Sequence, residues 1–497
     1  MDRRSFLSST AALAAAATHG PAHGQTLASA AAGTNPFLAA HAGLFCKTLK
    51  RDPQGRMPPD RLRALGQALQ RKDVAALETL PVENELRLVN PLGAAAWEKW
   101  PFAARVKLPM LPPAWDSDAL ADEALELYWM ALLRDAPLLS LERDRLAAEA
   151  VAELSQTPTF HGLTAKSLFR LKAIPASQHG YAISQLLWLP IPFGAHVHWQ
   201  AYKMPFKGQD FLTDWDEWLR VQNGEWPKGI TQHHSDLHYI RSGRDLAEYT
   251  RFDFSYQAFL NAALICLGDP HRPRTVLNPT TPYKTARSQN GFATLGAAEL
   301  LALIARAADM GLKAAWHVKW NLSGLLRPEE FSGLVERDLV PTAQRLKRTS
   351  ALKRAKVKFG TYLLPQSYPE GAPPHPSFPS GHAVVAGACA TVLKAFIDPN
   401  YAFRFPLEPT RDGLDWGQYA GPDTNARTEV DKLAFNVAIG RNWAGIHWMS
   451  DAAGGLLLGE QVGLAVLAEA KTQYAETEGG WFKGFEVVTF DGKRVSV

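Results

Sequence analysis

Three stretches of the chain gather residues that could hold and activate an oxyanion. The first, KWNLSGLLRP, sets Lys319 and Arg327 eight positions apart, on or near one expected helix. The second, HPSFPSGH, runs from His375 through Ser380 and Gly381 to His382. The third, GRNWAGIHWMSD, places Arg441 six residues before His447 and Asp451 four residues after it. Arginine offers a planar fork of N–H donors suited to tetrahedral oxyanions, and lysine a compact point charge. Ser380 and Gly381 stand just before the apolar run AVVAGACATVLKAF. They would open a helix where free N–H groups and the positive end of the dipole attract an anion, and Gly381 would let that backbone approach closely. His382 and His447 supply a nucleophile or ligand and an acid/base. Asp451, one helical turn past His447, can orient a neighbouring ring or anchor the local structure. Each segment alone reads as a solvated face or a simple cap. Together they predict a rigid cationic cage for a phosphate-like oxyanion with a histidine beneath it.

The elements that must carry this cage are helical. Apolar residues recur at helical period in SDALADEALELYWMALLRDAP, with Ser117 or Asp118 as N-cap and Pro137 as the stop. Further helices are expected in LERDRLAAEAVAEL, FDFSYQAFLNAALICLG, ATLGAAELLALIARAADMGLKAAWHVKWNL, GHAVVAGACATVLKAF, EVDKLAFNVAIG and HWMSDAAGGLLLGEQVGLAVLAEA. Strand-like alternation is scarce, with a possible short hairpin in FEVVTFDGKRVSV at the C-terminus. The fold class expected is mainly α, helical bundles joined by long loops. Residues 1–30 read as an export signal that is removed, 31–117 as a loop-rich segment with short helices, and 118–497 as the helical catalytic unit carrying motifs at 319–328, 375–382 and 440–451.

The 497 residues are 46% hydrophobic and 21% charged, enough for a large core, and the net charge of +4 is too slight and dispersed to argue for a nucleic-acid partner. Cys46, Cys266 and Cys389 are widely spaced, with no CxxC, and read as core residues rather than disulfides or a zinc site. There is no P-loop, dinucleotide fingerprint or haem CxxCH. HHSDLH (233–238) reads as a solvent loop with chance histidines, and His196 and His198 as a short strand or loop. The opening MDRRSFLSSTAALAAAATHG pairs Arg3 and Arg4 before a short apolar run, like a bacterial twin-arginine signal, which implies a periplasmic or secreted protein. No later run reaches about 18 uninterrupted apolar residues, so no membrane span is expected.

The order Lys…Arg-Pro, Pro-Ser-Gly-His, Arg…His-x-x-x-Asp resembles the vanadium-dependent haloperoxidases and the acid and lipid phosphatases that share their oxyanion site. Seven residues separate Lys319 from Arg327, where the phosphatase signature usually has six, and Gly440-Arg441 replaces its usual Ser-Arg. LRLVNPLGAAA, ELYWMALLRD, GYAISQLLWLPIPFG, HPSFPSGHAVVAGACATVLKAF and KLAFNVAIGRNWAGIHW are similar to the algal-type bromoperoxidase branch. That resemblance implies two helical bundles per chain, with vanadate at the end of one and no haem or flavin. It implies His447 as the vanadium ligand; Lys319, Arg327, Ser380, Gly381 and Arg441 around the vanadate oxygens; and His382 as acid/base. It implies His375 and Trp316 beside the halide, and a carboxylate for Arg441, for which Asp253 is the candidate. The implied partners are hydrogen peroxide, bromide or iodide, a small organic acceptor and further copies of the chain. An exported phosphatase forming a phosphohistidine is the alternative that the same cage allows.

Overall fold

The helix opened by Ser380 spans Gly381–Phe396, and Ser380 Oγ accepts from the N–H of Ala383 at 3.4 Å. It is the inner member of the helical assembly in this computed structural model, which describes Leu27 and residues 34–82, 84–268 and 276–497. The expected export signal lies outside these residues except for Leu27. Seven helices matter for the site: α1 (Asp118–Leu133), α2 (Gly243–Phe252), α3 (Ala297–His317), α4 (Pro328–Glu336), α5 (Gly381–Phe396), α6 (Ala426–Trp443) and α7 (Met449–Lys471). Nearly every residue of α5 is buried, which is why its sequence is apolar on all sides. It packs most extensively on α7, then on α3 and α6, while α6 also packs on α2.

The α5–α7 contact is a backbone contact. Gly455, Gly459 and Gly463 line one face of α7 at four-residue spacing, and Gly387 faces them from α5. A Cβ on Gly459 would lie 2.8 Å from Ala388 N and 2.9 Å from Gly387 Cα, besides striking the Val384 carbonyl. Each glycine costs a helix roughly 1 kcal/mol relative to alanine, offset here by the close packing. Gly459→Leu should therefore cost about 3 kcal/mol, the upper range for overpacking, read as a fall in the urea midpoint of unfolding. α7 is long and apolar enough to cross a bilayer, but 72% of its apolar window is buried inside the protein.

Local signals placed most helices closely. Ser117 Oγ caps α1 through Leu120 N at 3.2 Å, and α1 ends at Leu133, short of Pro137. The long helix expected over ATLGAAELL…WNL is α3 up to His317 and then a π turn, Val318–Ser323, closed by Gly324 in the left-handed region at φ 62°. Lys319 and Arg327 therefore do not share a helix: Lys319 sits in the π turn and Arg327 is the N-cap of α4. The C-terminal hairpin pairs Glu486–Val488 with Arg494–Ser496. Three other small antiparallel pairs occur among the described residues. One includes His196–His198, and another is built on His233–His238, a strand rather than the expected loop, held by Tyr202–Pro205 and by His233 Nε2 on Glu248 Oε1 at 2.5 Å. All three cysteines are buried and unpaired.

Residues 34–100 hold a separate small core in which Phe37, Leu44, Phe45, Leu62 and Leu65 gather on Trp320. The same segment straps the first motif. Phe45 N donates to Gly324 O at 2.8 Å and Leu326 N to Gly43 O at 3.0 Å. Lys47 and Arg51 form buried ion pairs with Glu329 (3.0 Å) and Glu330 (2.7 Å) at the start of α4.

Candidate active site

Three internal segments meet at the N-termini of α5 and α7: the π turn leading into α4, the loop before α5, and the turn between α6 and α7. Lys319 Nζ, fully buried, donates to Pro376 O and Ser377 O, both at 2.7 Å. Arg327, also fully buried, donates Nε to His375 O (2.9 Å), Nη1 to Ile446 O (2.9 Å) and to His447 Nε2 (2.8 Å), and Nη2 to His375 Nδ1 (2.9 Å). Arg441 Nη1 donates to Thr250 O at 2.7 Å, its guanidinium lies 5.8 Å from the Tyr368 ring centre, and its buried Nε has no hydrogen-bond partner among the described residues. Main-chain carbonyls, not carboxylates, thus accept from each of the three cations, and the rings of His447 and His375 also accept from Arg327. Burial, with Arg327 and Arg441 close by, drives the Lys319 ammonium well below its usual range, and burial lowers Arg327 to about 9. A cluster so short of negative charge favours a multiply charged anion in its midst.

His447 lies against this cluster. Its Nδ1 bonds to Asp451 Oδ2 at 2.6 Å, while Nε2 accepts from Arg327. Asp451 is an acceptor also for Trp448 N at 3.0 Å and for the Ser377 hydroxyl, and burial pushes its carboxyl up to about 6. Burial, then Arg327, Lys319 and Arg441, hold the His447 imidazole far below its usual range, so it is neutral. With the proton on Nδ1, the Nε2 lone pair points toward the cations as a ligand's would.

His382 is the open edge of the site. Its side chain is 30% exposed, whereas Lys319 and Arg327 are fully buried. Its Nε2 lies 3.0 Å from Asp253 Oδ1. Asp253, expected beside Arg441, is thus a partner of His382 instead, and a backbone carbonyl at the end of α2 takes the Arg441 contact. The reason is the position of α2's last turn: Thr250 O faces α6 while Asp253, just past the helix end, reaches across to the start of α5. His375, 8% exposed, is locked to Arg327, and burial with Arg327 and Lys319 nearby holds it neutral and far below its usual range. Trp316 packs against it with 4.8 Å between ring centres and the rings tilted by 43°, and its Nε1 donates to Val89 O at 3.2 Å. A Cβ at Gly381 would touch Trp316 at 3.4 Å.

All the residues singled out by spacing therefore come to one place: Lys319, Arg327, His375, Ser380, Gly381, His382, Arg441, His447 and Asp451, with Trp316 and Asp253 against them. Sequence reading missed Ser377, Thr250, Tyr368 and Glu330. Glu330 Oε2 accepts from Arg327 N at 2.9 Å. Ser377 was visible within HPSFPSGH, and the Glu330 bond follows from its place three residues past the N-cap. Thr250 acts through its backbone and leaves no compositional signal. Fork, ammonium, hydroxyl, helix-terminal N–H and a neutral imidazole are a donor set for a tetrahedral oxyanion that can also accept a bond from nitrogen.

Comparison with known proteins gives a consistent picture. A family model described as the VCPO second helical-bundle domain matches residues 299–476. The chain is 33% identical to a vanadium-dependent bromoperoxidase of Ascophyllum nodosum over 88% of its length and 84% of that protein's. It is 30% identical to one of Corallina officinalis, over 80% and 77%. The solved homohexameric second vanadate-dependent bromoperoxidase of Ascophyllum nodosum superposes with a TM-score of 0.82 at 25% identity, covering 99% of this chain and 90% of that one.

Proposed function

The chain belongs to the vanadium-dependent haloperoxidase family, and from that premise we infer that it oxidises bromide and iodide with hydrogen peroxide, using vanadate held in the cage of Lys319, Arg327 and Arg441. The observation that carries this reading is His447, whose Nε2 accepts from Arg327 within a buried cluster that also holds Lys319 and Arg441, while its Nδ1 is held by Asp451. The partnerless Nε of Arg441 and the charge imbalance fit an oxyanion of vanadate's kind. Bound there, vanadate supplies a Lewis-acidic centre that activates peroxide toward halide without changing its own oxidation state.

The protein's own residues do the rest. His447 offers Nε2, and Arg327 Nη1, now bonded to that nitrogen, becomes free to donate to an oxyanion oxygen. Lys319, Arg441, Ser380 and the N–H of Gly381 complete the set of donors. Asp451 keeps the His447 proton on Nδ1. His382, steadied by Asp253 and partly open to solvent, holds and passes the proton that each halide oxidation takes up. His375 and Trp316 form the wall at which halide arrives. The hypohalous acid formed halogenates a small organic acceptor.

The test is bromination of a phenol-type dye by the apo protein given orthovanadate, peroxide and bromide, with a chromogenic phosphate ester in parallel. Bromination that depends on vanadate is expected, with iodide also oxidised and chloride weakly or not at all. Strong ester hydrolysis blocked by vanadate, without bromination, would replace this reading by the phosphatase one.

The twin arginines support export by the twin-arginine route to the periplasm or medium. Replacing Arg3 and Arg4 by lysine should leave the precursor in the cytoplasm, checked by fractionation and immunoblotting; a mature-sized periplasmic product would refute that route. The homohexameric relative supports a homo-oligomer, measurable by light scattering coupled to gel filtration.

A further inference from the structure

Helix α1 brings a carboxyl to the far side of the oxyanion site. Glu123 Oε2 accepts from Ser450 N and from Ser450 Oγ, each at 3.0 Å, across 327 residues of sequence. It also takes a backbone hydrogen bond from Met449. Glu123, Ser450 and Asp451 are all buried. These N–H groups belong to the first turn of α7, which lacks intrahelical partners for them. Asp451 sits in that same turn and holds Trp448 N, the Ser377 hydroxyl and His447 Nδ1 together. A shift of this turn is therefore a shift of the imidazole.

Resting on the vanadate reading above, we propose that Glu123 is a positioning residue for the vanadate ligand: it pins the first turn of α7 and thereby the Asp451 carboxyl that orients His447. Burial favours the uncharged form of Glu123. Among the described residues no ion pair engages Glu123 or its neighbour Glu126, one turn along α1, whose buried Oε2 has no hydrogen-bond partner. The charged groups that face Glu123 are Asp451 and Glu126, both acidic, and burial pushes Glu123 up to about 8. An ionised carboxylate there would meet like charge from both, offset only by the hydrogen bonds and dipole of the first turn of α7. The useful feature of Glu123 is then an oxygen that accepts two or three hydrogen bonds in a dry place, and a glutamine carbonyl can supply the same.

The experiment measures dissociation constants of orthovanadate and of phosphate on apo protein by titration calorimetry, with thermal unfolding alongside. Phosphate needs the cations alone, whereas vanadate also needs a bond from His447, so the two anions separate a misplaced imidazole from a generally damaged fold. Glu123→Gln should leave both constants within about threefold of the unmutated protein. Glu123→Leu should weaken vanadate by about tenfold or more, as loss of a supporting hydrogen bond around a metal ligand does, and leave phosphate nearly unchanged. Ser450→Ala removes one of the bonds while keeping the backbone one, and should show a smaller loss of the same kind; it serves if the leucine variant does not fold. Equal loss of both anions, a glutamine variant as weak as the leucine one, or unchanged vanadate binding in the leucine and alanine variants would each overturn the assignment. Unmutated protein that binds neither anion would overturn the reading of the cage itself and this assignment with it.

Discussion

His447→Ala should abolish retention of vanadate while leaving a folded protein that still binds phosphate. The substitution removes His447 Nε2 and frees Arg327 Nη1, which keeps its bond to Ile446 O, while Nη2 keeps His375 Nδ1. Asp451 loses one donor but keeps Trp448 N and the Ser377 hydroxyl, so the turn should hold. Because vanadate differs from phosphate here chiefly by the bond from nitrogen, its affinity should fall by about a thousandfold, or about 4 kcal/mol. Vanadium content after dialysis and calorimetric titration measure this directly. Full peroxidase activity with stoichiometric vanadium in the variant would refute the role of the third motif.

Lys47→Met should destabilise the protein by about 3–5 kcal/mol, the range for stripping one partner from a buried pair. Lys47 and Glu329 are fully buried in their side chains, 3.0 Å apart. Lys47 Nζ also donates to Glu370 O and Ala372 O, both at 2.7 Å. It therefore ties α4, the helix capped by Arg327, to the segment that leads into His375. Glu329 left alone would keep Gln222 and Ala372 N as neutral donors but no ion-pair partner among the described residues. Two readouts should move together: a lower urea midpoint, and weaker binding of vanadate at temperatures where the variant is still folded. A variant as stable as the parent would refute the strap. Lys47→Met/Glu329→Leu should then regain stability relative to the single variant, since it removes the stranded charge.

The site was legible where its chemistry is local. Ser380 before an apolar run signals a cap and Asp451 four residues after His447 signals a shared turn; both contacts are present. Helix α5 was bounded to the residue because Pro379, Ser380 and Gly381 punctuate its start. Periodicity could not show that the helix through Lys319 loosens into a π turn, since apolar spacing continues through Val318 and Trp320, and Trp320 is apolar for a different reason: it belongs to the small core of the N-terminal segment. The partner of Asp253, the strap from Lys47 and Arg51, and the Glu123 contact join residues more than 100 positions apart. Such pairs leave no trace in local pattern, so choosing His382 over Arg441 for Asp253 needed coordinates.

The carbonyls that anchor the three cations have a consequence for how this protein can drift. The oxygens of Pro376, Ser377, His375, Ile446 and Thr250 are supplied by the peptide group, whatever side chain each position bears. Mutation can recolour most of the surrounding wall without unseating a charge, provided the chain keeps its path. The site is thus inherited as a trajectory more than as a set of matching neighbours. Heritable change at such a centre would be felt first where a side chain rather than the backbone makes the contact, as at Asp253, His375 and Trp316.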